Sequence, residues 1–386
     1  MKLTVNFVRK QLEKLKPVIT GCSLAASRAG QTAIGELISL PLRKEERFEK
    51  IVFPDFECGL ITPEKQTNSD SAILYIHGGG YVAGNLEYAR GFGSVLAAET
   101  GIRVFCPAYR LAPENKYPAA LRDCLFLYRY ITETLEIPSQ NLILCGESAG
   151  GGLIYSICMK LRKMEKPLPA GIVAISPWTD LTMSGKSYEE KREVDPSMTK
   201  ERLEYFADCY VPEDISRSES LISPVYGELN DMPPSLIFSG GDEVMLDDAV
   251  ELNAKLLLSN CESTHIIRPK MWHAYIVYGL DETHDDMGRF AASLKNVFKP
   301  LHPPAYVRSR RGFRKIRQTL KFRQLRRVHG LCLYVFYLSV SRIPHKFCRK
   351  KNCSCLLNWY RLTENLTALS TTGIQRYCHN SKLVIT

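Results

Sequence analysis

Short apolar runs alternate with longer helical patterns along the middle of this 386-residue chain. The runs have the length and apolar character of buried strands. The patterns between them, chiefly residues 86–100 and 119–136, have the 3.6-residue spacing of amphipathic helices. The predicted strands are residues 72–76, 102–106, 142–145, 171–175, 236–238 and 264–267. This alternation predicts an α/β fold with a mainly parallel sheet and helices on both of its faces.

Three segments depart from this alternation of strands and helices. Residues 48–53 and 58–61 predict an antiparallel hairpin at the start of the sheet. Residues 1–44 predict two helical pieces before the hairpin, and a polar, helical insertion interrupts the strands at about residues 180–222. Ligands of such sheets bind outside the carboxyl ends of the parallel strands, so any site is expected there.

The predicted strand at residues 142–145 leads into a G-x-S-x-G turn, Gly146-Glu147-Ser148-Ala149-Gly150. Glycines two residues before and after such a serine let the strand and the following helix approach each other. The helix N-terminus then directs N–H groups and its positive dipole end at the hydroxyl. Ser148 is the candidate nucleophile, and a glycine-rich turn with an ordinary serine is the alternative.

A second glycine-rich turn, His77-Gly78-Gly79-Gly80-Tyr81, follows the strand at residues 72–76. Such a turn brings the backbone close to a ligand and presents N–H groups to an oxyanion. An HGGG-type motif forms half of an oxyanion hole, which the N–H of the residue after the nucleophile, here Ala149, completes. His77 is expected to organise this loop by hydrogen bonding. The two motifs in this order favour a reactive Ser148 over an ordinary one.

A nucleophilic serine needs a histidine base and a carboxylate that orients the histidine, and in α/β-hydrolases they follow in the order serine, acid, histidine. Asp242 follows the strand at residues 236–238 and two glycines. His273 lies in a loop after the strand at residues 264–267. Asp242 and His273 are therefore the expected acid and base.

Other titratable residues are expected to have structural roles. Asp247 and Asp248 fall where the next helix should begin, and carboxylates there favour the helix dipole. His265 lies within a predicted strand, and His284 lies in a polar helix. Glu147 has no second carboxylate to pair with, so it is expected to accept hydrogen bonds beside the nucleophile.

With these motifs the chain resembles the hormone-sensitive-lipase-like group of α/β-hydrolase esterases. The resemblance covers about two thirds of the chain, from about residue 45 to residue 299. The matching segments are His77 to Tyr81, Tyr109 to Glu114, Tyr117 to Ala120, Gly146 to Gly152, Ser176 to Trp178, Ser223-Pro224, Asp242 and His273.

The resemblance implies an α/β-hydrolase fold with an eight-stranded, mainly parallel sheet, and a catalytic domain at residues 45–299. Residues 1–44 and the insertion would form a helical cap; a helix simply packed on the body is the alternative for residues 1–44. The family triad would be Ser148, Asp242 and His273. The implied oxyanion hole consists of the N–H groups of Gly79, Gly80 and Ala149.

Charge is unevenly distributed along the chain. Residues 300–386 contain 18 Lys and Arg and a single acid, which leaves 33 basic and 40 acidic residues before them. An acidic body gives no reason to expect nucleic acid as a partner. In the tail, residues 308–328 place apolar side chains at helical spacing among Lys and Arg. This pattern suits an anionic membrane surface or an acidic partner, and a poorly ordered extension is the alternative.

Composition also bears on the compartment and on cofactors. The chain lacks a run of about 20 apolar residues and begins without the apolar segment of a signal peptide, so neither a membrane-spanning helix nor secretion is expected. The thirteen cysteines are scattered, and several fall in apolar segments, which favours a reduced, cytoplasmic setting. The tail cysteines lack a recognisable zinc spacing, and triad chemistry requires no cofactor, so neither a metal nor a cofactor is expected.

The predicted function is hydrolysis of carboxylic esters through an acyl-enzyme on Ser148. The resemblance implies small-molecule esters of short to medium acyl chain as substrates. An amidase or deacetylase with the same triad is one alternative, because contacts with the leaving group decide between these reactions. A non-catalytic small-molecule binder is another, since the fold does not fix the function. The presence of all three expected triad residues argues against the binder.

Overall fold

The computed structural model describes residues 4–278, 280 and 283–297. The basic tail predicted at residues 300–386 lies outside them. The helices of this part are α1 (Val5–Gly21), α2 (Leu24–Ser39), α3 (Leu86–Thr100), α4 (Ala119–Arg129), α5 (Ala149–Lys163), α6 (Ser187–Glu190), α7 (Lys200–Tyr210), α8 (Leu246–Leu258) and α9 (His284–Val297). The strands are β1 (Glu46–Val52), β2 (Glu57–Pro63), β3 (Ala72–Ile76), β4 (Arg103–Ala108), β5 (Leu142–Glu147), β6 (Gly171–Ile175), β7 (Ser235–Gly240) and β8 (Ser263–Arg268).

The strands form one sheet of eight in the order β1-β2-β4-β3-β5-β6-β7-β8. β1 pairs antiparallel with β2, and β2 pairs antiparallel with β4. The remaining neighbours are parallel. The predicted α/β fold and mainly parallel sheet are therefore confirmed. The hairpin expected at residues 48–53 and 58–61 corresponds to β1 and β2.

Two apolar layers enclose the sheet. Successive side chains of β3 point to opposite faces, so Leu74 packs in one layer while Ile73 and Tyr75 pack in the other. Helices α4, α5 and α8 cover the first face, and helices α1, α3 and α9 contribute to the second. Burial on both faces explains why these strands read as continuous apolar runs in the sequence.

Local sequence accounts for where several helices begin and end. The Thr4 hydroxyl accepts a hydrogen bond from the Phe7 amide at the start of α1, and Ser23 does the same at the start of α2. The single helix expected at residues 119–136 is shorter, because α4 ends at Arg129 and a π-helical turn, Tyr130–Thr134, follows it. Within the described part of the chain, every helix is too short or too polar to cross a bilayer.

Candidate active site

Ser148 lies on a tight turn between β5 and α5. Its backbone has φ 53° and ψ −121°, a strained conformation for a non-glycine residue. The turn is held on both sides: the Ser148 amide donates to the Ile175 carbonyl at 2.9 Å, and the Ser148 carbonyl accepts from the Trp178 amide at 2.9 Å. The strand and the helix approach each other closely, because a Cβ on Gly146 would lie 2.4 Å from the Gly150 carbonyl oxygen. A Cβ on Gly150 would in turn lie 2.1 Å from the Ile76 carbonyl oxygen of β3.

The glycine loop after β3 lies against this turn. A Cβ on Gly78 would lie 3.0 Å from the Ser148 Cβ, and Gly79 and Gly80 have φ values of 109° and 61°. None of the three amides predicted to form the oxyanion hole donates to another group of the described chain. The N–H groups of Gly79, Gly80 and Ala149 are thus available to a bound oxyanion.

His77 fixes the shape of the glycine loop from within the core. Its Nδ1 lies 2.7 Å from the Gly78 carbonyl oxygen, which can only accept, so Nδ1 carries the proton. Its ring stacks on Tyr109 with the ring centroids 4.3 Å apart. Burial lowers the pKa of His77 to about 4, and the imidazole is neutral at physiological pH.

His273 pairs with Glu243 and not with the predicted Asp242. The His273 Nδ1 lies 2.9 Å from Glu243 Oε2, and the Glu243 side chain is fully buried. The Asp242 carboxylate instead accepts a hydrogen bond from Arg9 at 2.7 Å. The expected pairing of Asp242 with His273 is therefore corrected: Glu243 is the carboxylate that orients the imidazole.

The turn after β7 explains this one-residue shift. The Gly240 amide donates to Glu243 Oε1 at 3.1 Å, which folds the Glu243 side chain back beneath the strand end. The Asp242 amide donates to the Met271 carbonyl at 2.9 Å. Two adjacent acids in one turn thus have side chains with different partners, and only the second reaches His273.

The surroundings of His273 leave it more basic than an ordinary histidine. Burial is the largest single effect and lowers its pKa, but the hydrogen bond and the negative charge of Glu243 raise it, as do the charges of Asp195 and Glu147. The net result is a raised pKa. Such a group takes up a proton readily, which is the requirement for a base that activates a serine.

Glu147 lies beside the nucleophile as a hydrogen-bond acceptor. Its Oε1 accepts from the Tyr88 hydroxyl at 2.5 Å and from the Gly78 amide at 3.1 Å. Burial is the main cause that raises the pKa of Glu147. Its contacts connect the serine turn to the glycine loop, in keeping with the structural role expected for it.

A largely apolar cavity of about 260 Å³ opens onto these groups. Ser148, His273, Gly79 and Gly80 all line it. Helices α1, α2 and α7 contribute much of the apolar wall, through residues that include Val8, Leu12, Leu15, Ile34, Ile38 and Phe206. The candidate catalytic residues therefore line a largely apolar cavity.

The other acids and histidines considered from the sequence have structural contacts. Asp247 and Asp248 lie in the first turn of α8, as expected, and Asp248 also accepts from the Thr179 and Asp180 amides at 2.9 and 2.8 Å. His265 Nε2 lies 2.9 Å from the Ser239 hydroxyl oxygen. The His284 side chain lies outside the described residues.

Three contributors to this site were missed by the sequence analysis. Glu243 is one, and the sequence does not distinguish it from the adjacent Asp242. Arg9 contacts Asp242 across 233 positions. The buried Asp195 accepts from the Val244 amide at 2.9 Å across 49 positions. The pattern of the chain carries no signal for the last two contacts.

The chain is similar in sequence to known hydrolases. The family model for the alpha/beta hydrolase fold matches residues 73–277. An acetyl-hydrolase of Streptomyces hygroscopicus is 35% identical over 206 residues, which are 53% of this chain and 68% of the relative. An ethyl acetate hydrolase of Pseudomonas putida is 28% identical over 214 residues, 54% of this chain and 67% of the relative.

The chain is also similar to solved structures of esterases. A crystal structure of an esterase from the bacterial hormone-sensitive lipase family superposes with a TM-score of 0.70 at 29% identity, covering 76% of this chain and 98% of its own. The esterase EstE5, soaked with p-nitrophenyl butyrate, superposes with a TM-score of 0.66 at 28% identity, covering 74% of this chain and 98% of its own.

Proposed function

Since the chain belongs to the α/β-hydrolase fold family, among its hormone-sensitive-lipase-like esterases, and is a carboxylic ester hydrolase, we propose that it cleaves short- to medium-chain esters by two-step acyl transfer at Ser148. The observation that carries this proposal is the shared cavity. Ser148, the glycine loop and the Glu243-bound His273 all face it.

In the first step, His273 acts as the general base. Glu243 holds the proton on Nδ1, which leaves Nε2 as the acceptor. Nε2 takes the hydroxyl proton as the Ser148 oxygen attacks the ester carbonyl carbon. The amides of Gly79, Gly80 and Ala149 donate to the oxyanion that forms, where preorganised donors stabilise charge most effectively.

Collapse of this intermediate breaks the bond between the carbonyl carbon and the alcohol oxygen. The imidazolium of His273 returns its proton to the departing alkoxide, so the alcohol leaves neutral and the acyl group remains on Ser148. Water then attacks the acyl-enzyme with His273 again as base, and the acid and the free serine are regenerated.

The walls of the cavity support the proposed substrate range. A small, mainly apolar chamber suits an unbranched hydrocarbon chain, which gains free energy by leaving water. Because α1, α2 and α7 supply much of this wall, we propose that residues 1–44 and the insertion act as the cap of the active site. The acyl chain would then lie beneath α1.

A reduced, cytoplasmic setting stays a prediction of the sequence. Eight cysteines fall in the described part of the chain, and each is a free thiol. Six of them are buried, where a thiol behaves as a small apolar side chain.

A series of p-nitrophenyl esters from two to twelve carbons tests the proposed function. The intact chain should hydrolyse the shorter members, with an optimum that reports the depth of the cavity. Ser148→Ala should abolish turnover while leaving the fold intact by circular dichroism. Full activity in Ser148→Ala, or inactivity of the folded intact chain on every ester, would overturn the proposal.

A further inference from the structure

Arg9 of α1 contacts both loops that carry the acid and the base. Its Nη1 donates to Asp242 Oδ2 at 2.7 Å and to the Lys270 carbonyl at 2.7 Å. Its Nη2 donates to the Val194 carbonyl at 2.6 Å. We propose that Arg9 is a positioning residue, which holds α1 over the cavity and fixes the Asp242-Glu243 turn relative to the His273 loop.

The acceptors of Arg9 lie next to the catalytic groups in the chain. Asp242 precedes Glu243, and Lys270 lies three residues before His273. The two loops already share backbone hydrogen bonds, from Gly241 to Arg268 and from Asp242 to Met271. Arg9 adds a side-chain bridge across the same junction, so movement of either loop strains the contact.

Lys16 provides a second connection between α1 and the Asp242-Glu243 turn, by way of the insertion. Lys16 Nζ donates to the carbonyls of Arg192 and Asp195 at 2.7 and 2.6 Å. The Asp195 carboxylate in turn accepts from the Val244 amide, directly after Glu243. Helix α1 is therefore connected to the Asp242-Glu243 turn in two ways, directly through Arg9 and indirectly through the segment around Asp195.

The chemistry of the arginine suits this role. A guanidinium offers five donors in a planar fork. Here Nε donates to Glu13 within α1 at 3.1 Å, and the two terminal nitrogens donate to a carboxylate and two carbonyls from three separate segments. The side chains of Arg9 and Asp242 are only 19% and 22% exposed, so water screens their attraction weakly. This contact gives Asp242 a role that differs from the one expected from the sequence.

The contact between Arg9 and Asp242 also bears on the cavity. Val8 adjoins Arg9 in α1, and Leu12 lies one turn further on; both are buried and line the chamber. Arg9 thus connects the closing of α1 over the acyl chain with the alignment of Glu243 and His273. Release of Arg9 should affect both turnover and the binding of longer chains.

The inference rests on the proposed triad, and its test uses Arg9→Met with Lys10→Ala as the matched control, because Lys10 is the exposed neighbour on the same helix. In the full-length enzyme, Arg9→Met should lower kcat about 10- to 100-fold on p-nitrophenyl butyrate, the cost of a misplacement of about 1 Å. KM should rise more for octanoate than for acetate. Lys10→Ala should leave kcat on p-nitrophenyl butyrate and KM for octanoate and acetate unchanged.

The pH profile distinguishes positioning from a loss of stability. Glu243 raises the pKa of His273, and a looser contact should raise it by less. The acid limb of kcat/KM in Arg9→Met should therefore move to lower pH. Arg9→Lys keeps the charge but not the fork, and it should recover part of kcat. Should Arg9→Met fail to fold, Asp242→Leu removes the carboxylate acceptor of the same contact and should move the limb in the same direction.

A wild-type kcat and pH profile in a folded Arg9→Met would overturn the inference, as would an equal loss in Lys10→Ala. Failure of the proposed function looks different, because the intact chain would then be inactive on esters or Ser148→Ala would retain its activity.

Discussion

Replacing Glu243 with glutamine should nearly abolish turnover, because the structure dictates which way the new amide points. The Gly240 amide donates to Oε1, so the carbonyl oxygen of glutamine must stay there. Its NH₂ group then occupies the position of Oε2, 2.9 Å from His273 Nδ1. Two donors cannot face each other, so His273 must adopt the tautomer that carries its proton on Nε2.

An imidazole with a proton on Nε2 cannot accept one from Ser148. A wrong tautomer of this kind costs roughly 10³- to 10⁴-fold in kcat, which is about 4 to 5.5 kcal/mol of transition-state stabilisation. The matched variant is Asp242→Asn, which changes the adjacent carboxylate in the same way. Its amide oxygen can still accept from Arg9, so its loss should stay within about tenfold.

The assay is steady-state hydrolysis of p-nitrophenyl butyrate by both variants, with near-ultraviolet circular dichroism to show that each is folded. Asp242→Asn losing as much activity as Glu243→Gln, or more, would refute the assignment of the acid.

Three further outcomes follow from particular contacts. The acid limb of kcat/KM should have a midpoint above 6.5, because His273 must be neutral to act as a base and its pKa is raised; a pH profile with a midpoint below 6.5 would contradict this. Gly150→Ala places a Cβ 2.1 Å from a backbone oxygen and should lower the thermal unfolding midpoint or prevent folding. Gly288→Ala, whose Cβ has nothing within 4 Å, should raise the midpoint slightly, and equal midpoints of the two variants would contradict this. Leu15→Trp fills the cavity wall and should lower kcat/KM for octanoate more than for acetate, and an unchanged ratio would place the acyl chain elsewhere.

The inner strands of the sheet could be predicted from the sequence because they are buried on both faces. β3 and β6 coincide with the apolar runs at residues 72–76 and 171–175. The ends of the other strands differ from the predicted ends by a residue or two, since pairing with a neighbour extends a strand beyond its apolar part. The π-helical turn after α4 has no periodic signal of its own.

The candidate site was predictable where local sequence determines geometry. The turns around Ser148 and Gly79 need glycine because of close backbone approaches and positive φ values. Since these glycines lie next to one another or at a fixed spacing in the sequence, their motifs are visible in the chain. The identity of the acid is a different matter, because Asp242 and Glu243 are adjacent and equally acidic. The hydrogen bond from the Gly240 amide and the contact with Arg9 decide between them.

The contact of Arg9 illustrates the limit of such prediction. Its acceptors outside α1 lie 185 to 261 positions away along the chain, and each is either a backbone carbonyl or one carboxylate among many. A sequence pattern reports the periodicity of α1 but not which loop its outward side chains reach. Only the tertiary arrangement brings these groups together.

Covalent labelling tests the central claim, that Ser148 forms the acyl-enzyme, most directly. The intact protein is treated with a fluorophosphonate, a reagent that phosphonylates activated serines, and the modified peptide is identified by mass spectrometry. We expect one label per chain, located on Ser148, together with complete loss of ester hydrolysis and much slower labelling in Glu243→Gln. A label on another residue, or continued hydrolysis by protein fully labelled at Ser148, would contradict the claim.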